Sequence, residues 1–155
     1  MPFSIRLAAE ADIPALVGLM TDFYAESEFP LPAAAATRAF EALFAPPALG
    51  FVWVAEEEGA PVGHLVLALS FSMEYGGLRG FIDDLYVRPA SRGQGAGAAL
   101  LAAARDGARA RGVRVLQVET GQAPHLARPL YARAGYADSG HALLTLPLAS
   151  PVHLL

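Results

Sequence analysis

The chain contains no cysteine at all. Disulfides, thiolate metal sites and cysteine nucleophiles are excluded together. Charge is scarce too: 17% of the 155 residues are charged and 54% are hydrophobic, which argues against extended disorder. No apolar run reaches the ~18–20 uncharged residues that span a bilayer, so no membrane segment is expected. The first residues lack a basic stretch leading into an apolar one and a small-residue cleavage site, so a cytoplasmic location is expected. A formal net charge of −4 argues against a nucleic-acid partner, because binding phosphates takes a concentrated basic surface. The four histidines, His64, His125, His141 and His153, lie too far apart to argue a metal site. The length suits one domain over residues 1–155, with a real core.

What is present is a change of period along the chain. Phe3 to Ala8 alternates as a strand does. Asp12 then stands as an N-cap with Pro14 in the first turn, and Ile13, Leu16, Val17, Met20 and Phe23 recur at helical spacing. A second helix is expected over Ala33 to Phe44, stopped by Pro46 and Pro47. Strands follow at Phe51–Glu56, Val62–Met73 and Arg79–Val87, with turns short enough for an antiparallel meander. An alanine-rich helix runs from about Gly95 to Arg111 and ends at Gly112. Val113–Glu119 reads as a strand, Leu126–Ala134 as a short helix and Leu143–Leu148 as a last strand. The order β-α-α-β-β-β-α-β-α-β predicts a mixed α/β fold around one central sheet.

The sharpest feature is the turn from Val87 into the alanine-rich helix, with Arg92 and glycines at 93, 95 and 97. Glycine admits positive φ and lets a ligand come close to the backbone amides. The first N–H groups of a helix have no internal partners, and the helix dipole favours an anion there. A pyrophosphate therefore suits this turn, and Arg92 adds a positive charge. It is not a P-loop, because no Lys-Ser or Lys-Thr follows the last glycine. Three antiparallel strands precede it, which disfavours a dinucleotide-binding fold. A glycine-rich helix start that merely packs tightly is the bland alternative.

Arg92-Gly93-Gln94-Gly95-Ala96-Gly97 resembles the coenzyme motif of the GNAT superfamily of acyl-CoA-dependent N-acetyltransferases. The preceding F-I-D-D-L-Y-V resembles that family's fourth strand, and Pro129 to Tyr136 its later tyrosine-bearing segment. The resemblance implies a mainly antiparallel sheet splayed between its fourth and fifth strands, and acetyl-CoA as donor. It implies that the pantetheine arm pairs with the backbone of Leu85, Tyr86 and Val87. The turn, comprising Arg92, Gly93, Gln94, Gly95, Ala96, Gly97 and Ala98, would hold the pyrophosphate. Many members carry an asparagine after the fifth strand, which this chain lacks; Gln122 is the candidate substitute.

Attack on a thioester needs a neutral amine, and an alkylamine with a pKa near ~10 must first lose a proton. Asp83 and Asp84 are the candidate bases on the fourth strand. Strict alternation puts Asp83 with Phe81, Leu85 and Val87, and Asp84 with Ile82 and Tyr86. The resemblance favours Asp83, which matches a glutamate of related polyamine acetyltransferases, and it implies Tyr131 as the acid that protonates the leaving thiolate. It also puts the acceptor near Asp22, Tyr24, Glu26, Glu28, Glu74 and Tyr75, an acidic and aromatic set suited to a small cationic amine. A protein lysine or N-terminal acceptor, or a non-catalytic acyl-CoA sensor, are the competing readings. No metal is expected. A homodimer is expected, with the apolar tail Pro151–Leu155 contributing.

Overall fold

The structure, a computed structural model, describes residues 2–120 and 124–152. Its sheet has five strands in sequence order: β1 (Phe3–Leu7), β2 (Gly50–Glu57), β3 (Ala60–Ser72), β4 (Gly77–Val87) and β5 (Val115–Val118). The first four pair antiparallel, and β5 joins β4 in parallel. The helices are α1 (Ile13–Glu26), α2 (Ala33–Phe44), α3 (Ala96–Ala110) and α4 (Pro124–Arg133). This is the expected mixed α/β fold, with α2 at the expected bounds and the meander formed as read.

Each face of the sheet carries its own core. Val52, Val54 and Val66 pack against Leu16, Val17, Met20 and Phe40 of α1 and α2. On the other face, Trp53, Leu65, Leu67 and Ile82 pack against Leu100, Leu101 and Ala104 of α3, with Tyr131 of α4. Alternation along β2 and β3 feeds both clusters, so these strands are apolar on either side and read as near-continuous hydrophobic runs. Leu16, Leu65, Leu67 and Leu100 are fully buried, each worth roughly 1.5–3 kcal/mol of transfer free energy.

Helix ends follow the sequence signals. Asp12 is the N-cap of α1 with Pro14 in its first turn, but its carboxylate accepts from the Ala9 amide and from Arg6 rather than from α1 itself. Gly112, at φ +79°, closes α3 in the left-handed conformation.

Two expectations are overturned. Leu143–Leu148 forms no strand; the segment has no regular secondary structure and pairs with no strand among the described residues. Leu143, Leu144, Leu146 and Leu148 are left exposed. Alternation signals a strand, but a strand needs an edge to pair with, and alternation does not supply one. The second correction concerns the parity of β4. Pairing runs Val66↔Asp84 and Leu67↔Ile82, so Asp83 is an extra residue in a β-bulge. The bulge moves Ile82 to the same cluster as Leu85 and Val87, under α3. Asp84 and Tyr86 therefore face α1 without Ile82.

Candidate active site

The bulge also marks where the sheet opens. β5 pairs with β4 from Arg79↔Val115 to Ile82↔Val118 and no further, while β4 continues to Val87. Beyond Ile82 the two parallel strands part, and the backbone of Leu85, Tyr86 and Val87 runs along the gap on the β4 side.

From Val87 the chain makes one 3-10 turn, Pro89–Ser91, and enters the glycine turn. Gly93 and Gly95 sit at φ +73° and +95°, a conformation that disfavours any side chain. A Cβ on either would meet nothing within 4 Å, so the space beside this stretch of backbone is open. Gly97 also serves packing: its Cβ would lie 2.9 Å from Leu130 Cδ2, so α3 and α4 touch closely there. Gly95 is the N-cap of α3, and its carbonyl accepts the first helical bond from Ala99 at 3.0 Å. The amides of Ala96, Gly97 and Ala98 precede that bond and lack helical partners. Ala96 is buried and Gln94 is exposed, its amide donating to the Ala90 carbonyl at 3.4 Å. This turn fits a pyrophosphate.

Arg92 holds the turn to the sheet and to α1. Its Nε donates to the Val87 carbonyl at 2.7 Å, and one Nη donates to both Glu26 oxygens at 2.7 and 2.8 Å. Its guanidinium lies 5.5 Å from the Tyr86 ring centroid, while the Tyr86 hydroxyl donates to Glu26 at 3.4 Å. Glu26 thus faces Arg92 rather than an acceptor. Asp22 pairs likewise with Arg88 at 3.5 Å.

On the α1 face lies a cleft of ≈ 250 Å³, lined by Phe23, Tyr24, Ser27, Phe29 and Asp84. The Asp84 side chain is 12% exposed. Burial, and then the neighbouring Asp83 charge, push its carboxyl up to about 7. Asp83, the bulged residue, is exposed. The Tyr24 hydroxyl is raised by burial and then by the charges of Asp84 and Asp83.

Behind Asp84 stands a residue the sequence reading passed over. His64 of β3 is fully buried, with Nε2 4.0 Å from Asp84 Oδ2 and its ring between Phe40 and Tyr86. Burial lowers it to about 4, so the imidazole is neutral at ordinary pH and the pair is not an ion pair. The available signal was a lone polar side chain inside the apolar run Gly63-His64-Leu65-Val66-Leu67. Phe23, Ser27 and Phe29 were also missed, since only the packing of α1 over β4 brings them to Asp84.

Tyr131 is buried in the α3-side core, its ring edge-on to Tyr136 at 5.6 Å. Burial, then Tyr136 and Asp84, push its hydroxyl up to about 12. Glu28, at φ +60°, is exposed in the turn after α1 and does not line the cleft. Glu74 and Tyr75 lie at the β3–β4 turn, beyond Gly77, which is itself seven residues from Asp84 along β4, or roughly 23 Å at ~3.3 Å per residue. They line a separate groove beside β5. Gln122 lies outside the described residues.

The family model described as "Acetyltransferase (GNAT) family" matches residues 16–136. The chain belongs to that family. An uncharacterized N-acetyltransferase of Bacillus subtilis, YhfO, is 36% identical over 99 residues, 62% of this chain. The chain spans 66% of that curated relative's length. Among solved structures, an integron cassette protein from the mobile metagenome of Cole Harbour Salt Marsh is 50% identical. It superposes at a TM-score of 0.89, covering 96% of this chain and 93% of its own. A predicted acetyltransferase from Clostridium acetobutylicum, solved with acetyl-CoA, shares the fold at a TM-score of 0.77 and 24% identity. That likeness covers 93% of this chain and 96% of the other.

Proposed function

We propose that residues 1–155 act as one domain that transfers an acetyl group from acetyl-CoA to the primary amine of a small cationic molecule. The observation that carries this reading is the meeting of two features at one bulge: the β4–β5 gap opens there, and Asp84 turns into the α1 cleft there. The pyrophosphate would rest on the amides from Gly93 to Ala98, with Arg92 beside it. The pantetheine arm would lie along Leu85 to Val87, delivering the thioester to the cleft's edge.

Asp84 is the better base in this geometry, and Asp83 is its charged neighbour. A carboxyl near 7 is half ionised at neutral pH and binds a proton far more strongly than an ordinary aspartate. It takes the ammonium proton, and the freed amine lone pair attacks the thioester carbonyl. Asp83 at the mouth adds negative charge that favours a cationic acceptor. Tyr131, up near 12, is too weak an acid to give its proton fully to a thiolate whose thiol has a pKa near ~8.5. It stays neutral and donates a hydrogen bond to the departing thiolate, which takes up the second amine proton as the tetrahedral intermediate collapses to the amide. Because the reaction consumes acetyl-CoA, we place it in the cytoplasm, where that donor is held.

Thiol release from acetyl-CoA tests this cleanly, since the protein contributes no thiol of its own. Polyamines, amino sugars and lysine should give turnover, and anionic or neutral amines should not. Asp84→Asn should lose about 10²–10⁴-fold in kcat, whereas Asp83→Asn should mainly raise KM. The reverse pattern would return the base to Asp83.

A further inference from the structure

His64 has no part in the chemistry described so far, yet its surroundings point to one. Val66 pairs with Asp84 and His64 with Tyr86, so His64 lies diagonally across β3 and β4 from Asp84, on the same face of the sheet. Val54 lies opposite it on β2, and the rings of Phe40 and Tyr86 stand at 6.5 and 6.4 Å. The imidazole is fully buried, and neither ring nitrogen has a hydrogen-bond partner among the described residues. A polar ring left in that state costs stability that a leucine there would not. Nε2 stands 4.0 Å from Asp84 Oδ2, about 1 Å longer than a hydrogen bond. Catalytic contacts of this kind are often long in a free enzyme and tighten once substrate is bound.

We propose that His64 is a positioning residue for Asp84: its Nε2–H closes onto Oδ2 when the amine is bound, leaving Oδ1 as the oxygen that takes the ammonium proton. This rests on Asp84 as the base. The proton passes from the ammonium nitrogen to Oδ1, while the imidazole keeps its own proton on Nε2 and stays neutral throughout. A donor to the carboxylate favours its ionised form, so the contact works against the burial and the Asp83 charge that raise Asp84. On its far side the imidazole meets Tyr86, whose ring stacks on Phe23 of the cleft at 5.2 Å.

The other ionisable groups around the pair come from three elements. On β4, Asp83 is exposed and Tyr86 is buried. From α1, Tyr24 faces Asp84, while Glu26 and Asp22 are paired with Arg92 and Arg88. Tyr131 feels the Asp84 charge from α4, and α2 brings the uncharged ring of Phe40. All three tyrosines are raised, so they stay neutral through the neutral pH range in which Asp84 titrates.

The pH profile of kcat, with acetyl-CoA and amine both saturating, reads the bound complex. His64→Leu should move its midpoint up by about one pH unit, since a hydrogen bond to a charged group is lost. At the unaltered midpoint kcat should then fall about fivefold, and it should recover about two pH units higher. Acetyl-CoA affinity should be unchanged. His64→Gln keeps an Nε2–H donor and should bring the midpoint back towards that of the unaltered protein. A lowered kcat with an unmoved midpoint, or a midpoint that glutamine does not restore, would overturn the proposal. If His64→Leu fails to fold by circular dichroism, nitrogen-15 NMR of the unaltered protein with labelled histidine decides. With His64→Gln identifying the signal, His64 should carry its proton on Nε2 at neutral pH, and a proton on Nδ1 would refute the contact. A flat profile in the unaltered protein is a different failure: it removes Asp84 as the base, and the role of His64 with it.

Discussion

Asp84→Asn should change the pH dependence of stability, because two buried neighbours titrate with opposite effect. Asp84 has a folded value of about 7 against 3.8 for a free aspartate carboxyl. Between those values the unfolded chain ionises and the folded chain resists. Its contribution to stability is thus fully present below its unfolded pKa and lost as pH rises through about 7. At ~1.4 kcal/mol per pH unit the gap amounts to about 4 kcal/mol. His64 is lowered from 6.5 to about 4. The unfolded chain takes up that proton first, so stability is present above 6.5 and lost as pH falls towards about 4, by about 3 kcal/mol. Across pH 4–6.5 the two contributions oppose each other, and the unaltered protein should show a shallow slope. Removing the carboxyl leaves His64 alone, so the variant should lose about 3 kcal/mol between pH 7 and 4. Asp12, held at about 2 by Arg6, titrates below this window. Urea unfolding at half-unit pH steps measures the difference, and parallel stability curves for the two proteins would refute the assignment of a raised Asp84.

Activity and packing offer three further checks. With a saturating amine, kcat/KM should rise with pH through about 7 as Asp84 ionises, reaching about half its plateau there; a flat profile from pH 6 to 8 would remove Asp84 as base. Tyr131→Phe should lower kcat about tenfold or more while acetyl-CoA affinity holds, as measured by single-turnover kinetics beside equilibrium binding. Gly95→Ala should cost about 1 kcal/mol or more in stability, because φ +95° strains any side chain, and it should weaken acetyl-CoA binding, both read by thermal shift with and without the donor.

Much of this architecture was legible because local signals and tertiary outcome agreed. Proline or glycine stands at the start of α1, α2 and α3 and just past the end of α2 and α3, and the Arg92–Gly97 turn announces itself by composition alone. The cleft was less legible. Period-two reading assumes an unbroken strand, and one bulged residue at Asp83 reverses which side chains share a face with Asp84. Nothing in F-I-D-D-L-Y-V marks that bulge, since it answers to the register of β3. Glu26 looked like acceptor chemistry in sequence, but Arg92, 66 residues away in the chain, takes up its carboxylate. The family resemblance grouped Glu74 and Tyr75 with α1, but the 13 residues of β3 carry them to the far end of the sheet. The leucines after His141 show a strand's alternation, which the described chain leaves without a partner strand.

The account stands on acetyl-CoA binding at the parted strands. Calorimetric titration of the purified protein with acetyl-CoA, alongside ATP and NAD, tests it most directly. Micromolar binding of acetyl-CoA with no heat from ATP or NAD is the predicted result. No heat from acetyl-CoA, or equal binding of ATP, would contradict the assignment of the Gly93–Ala98 amides and the β4–β5 gap to this donor.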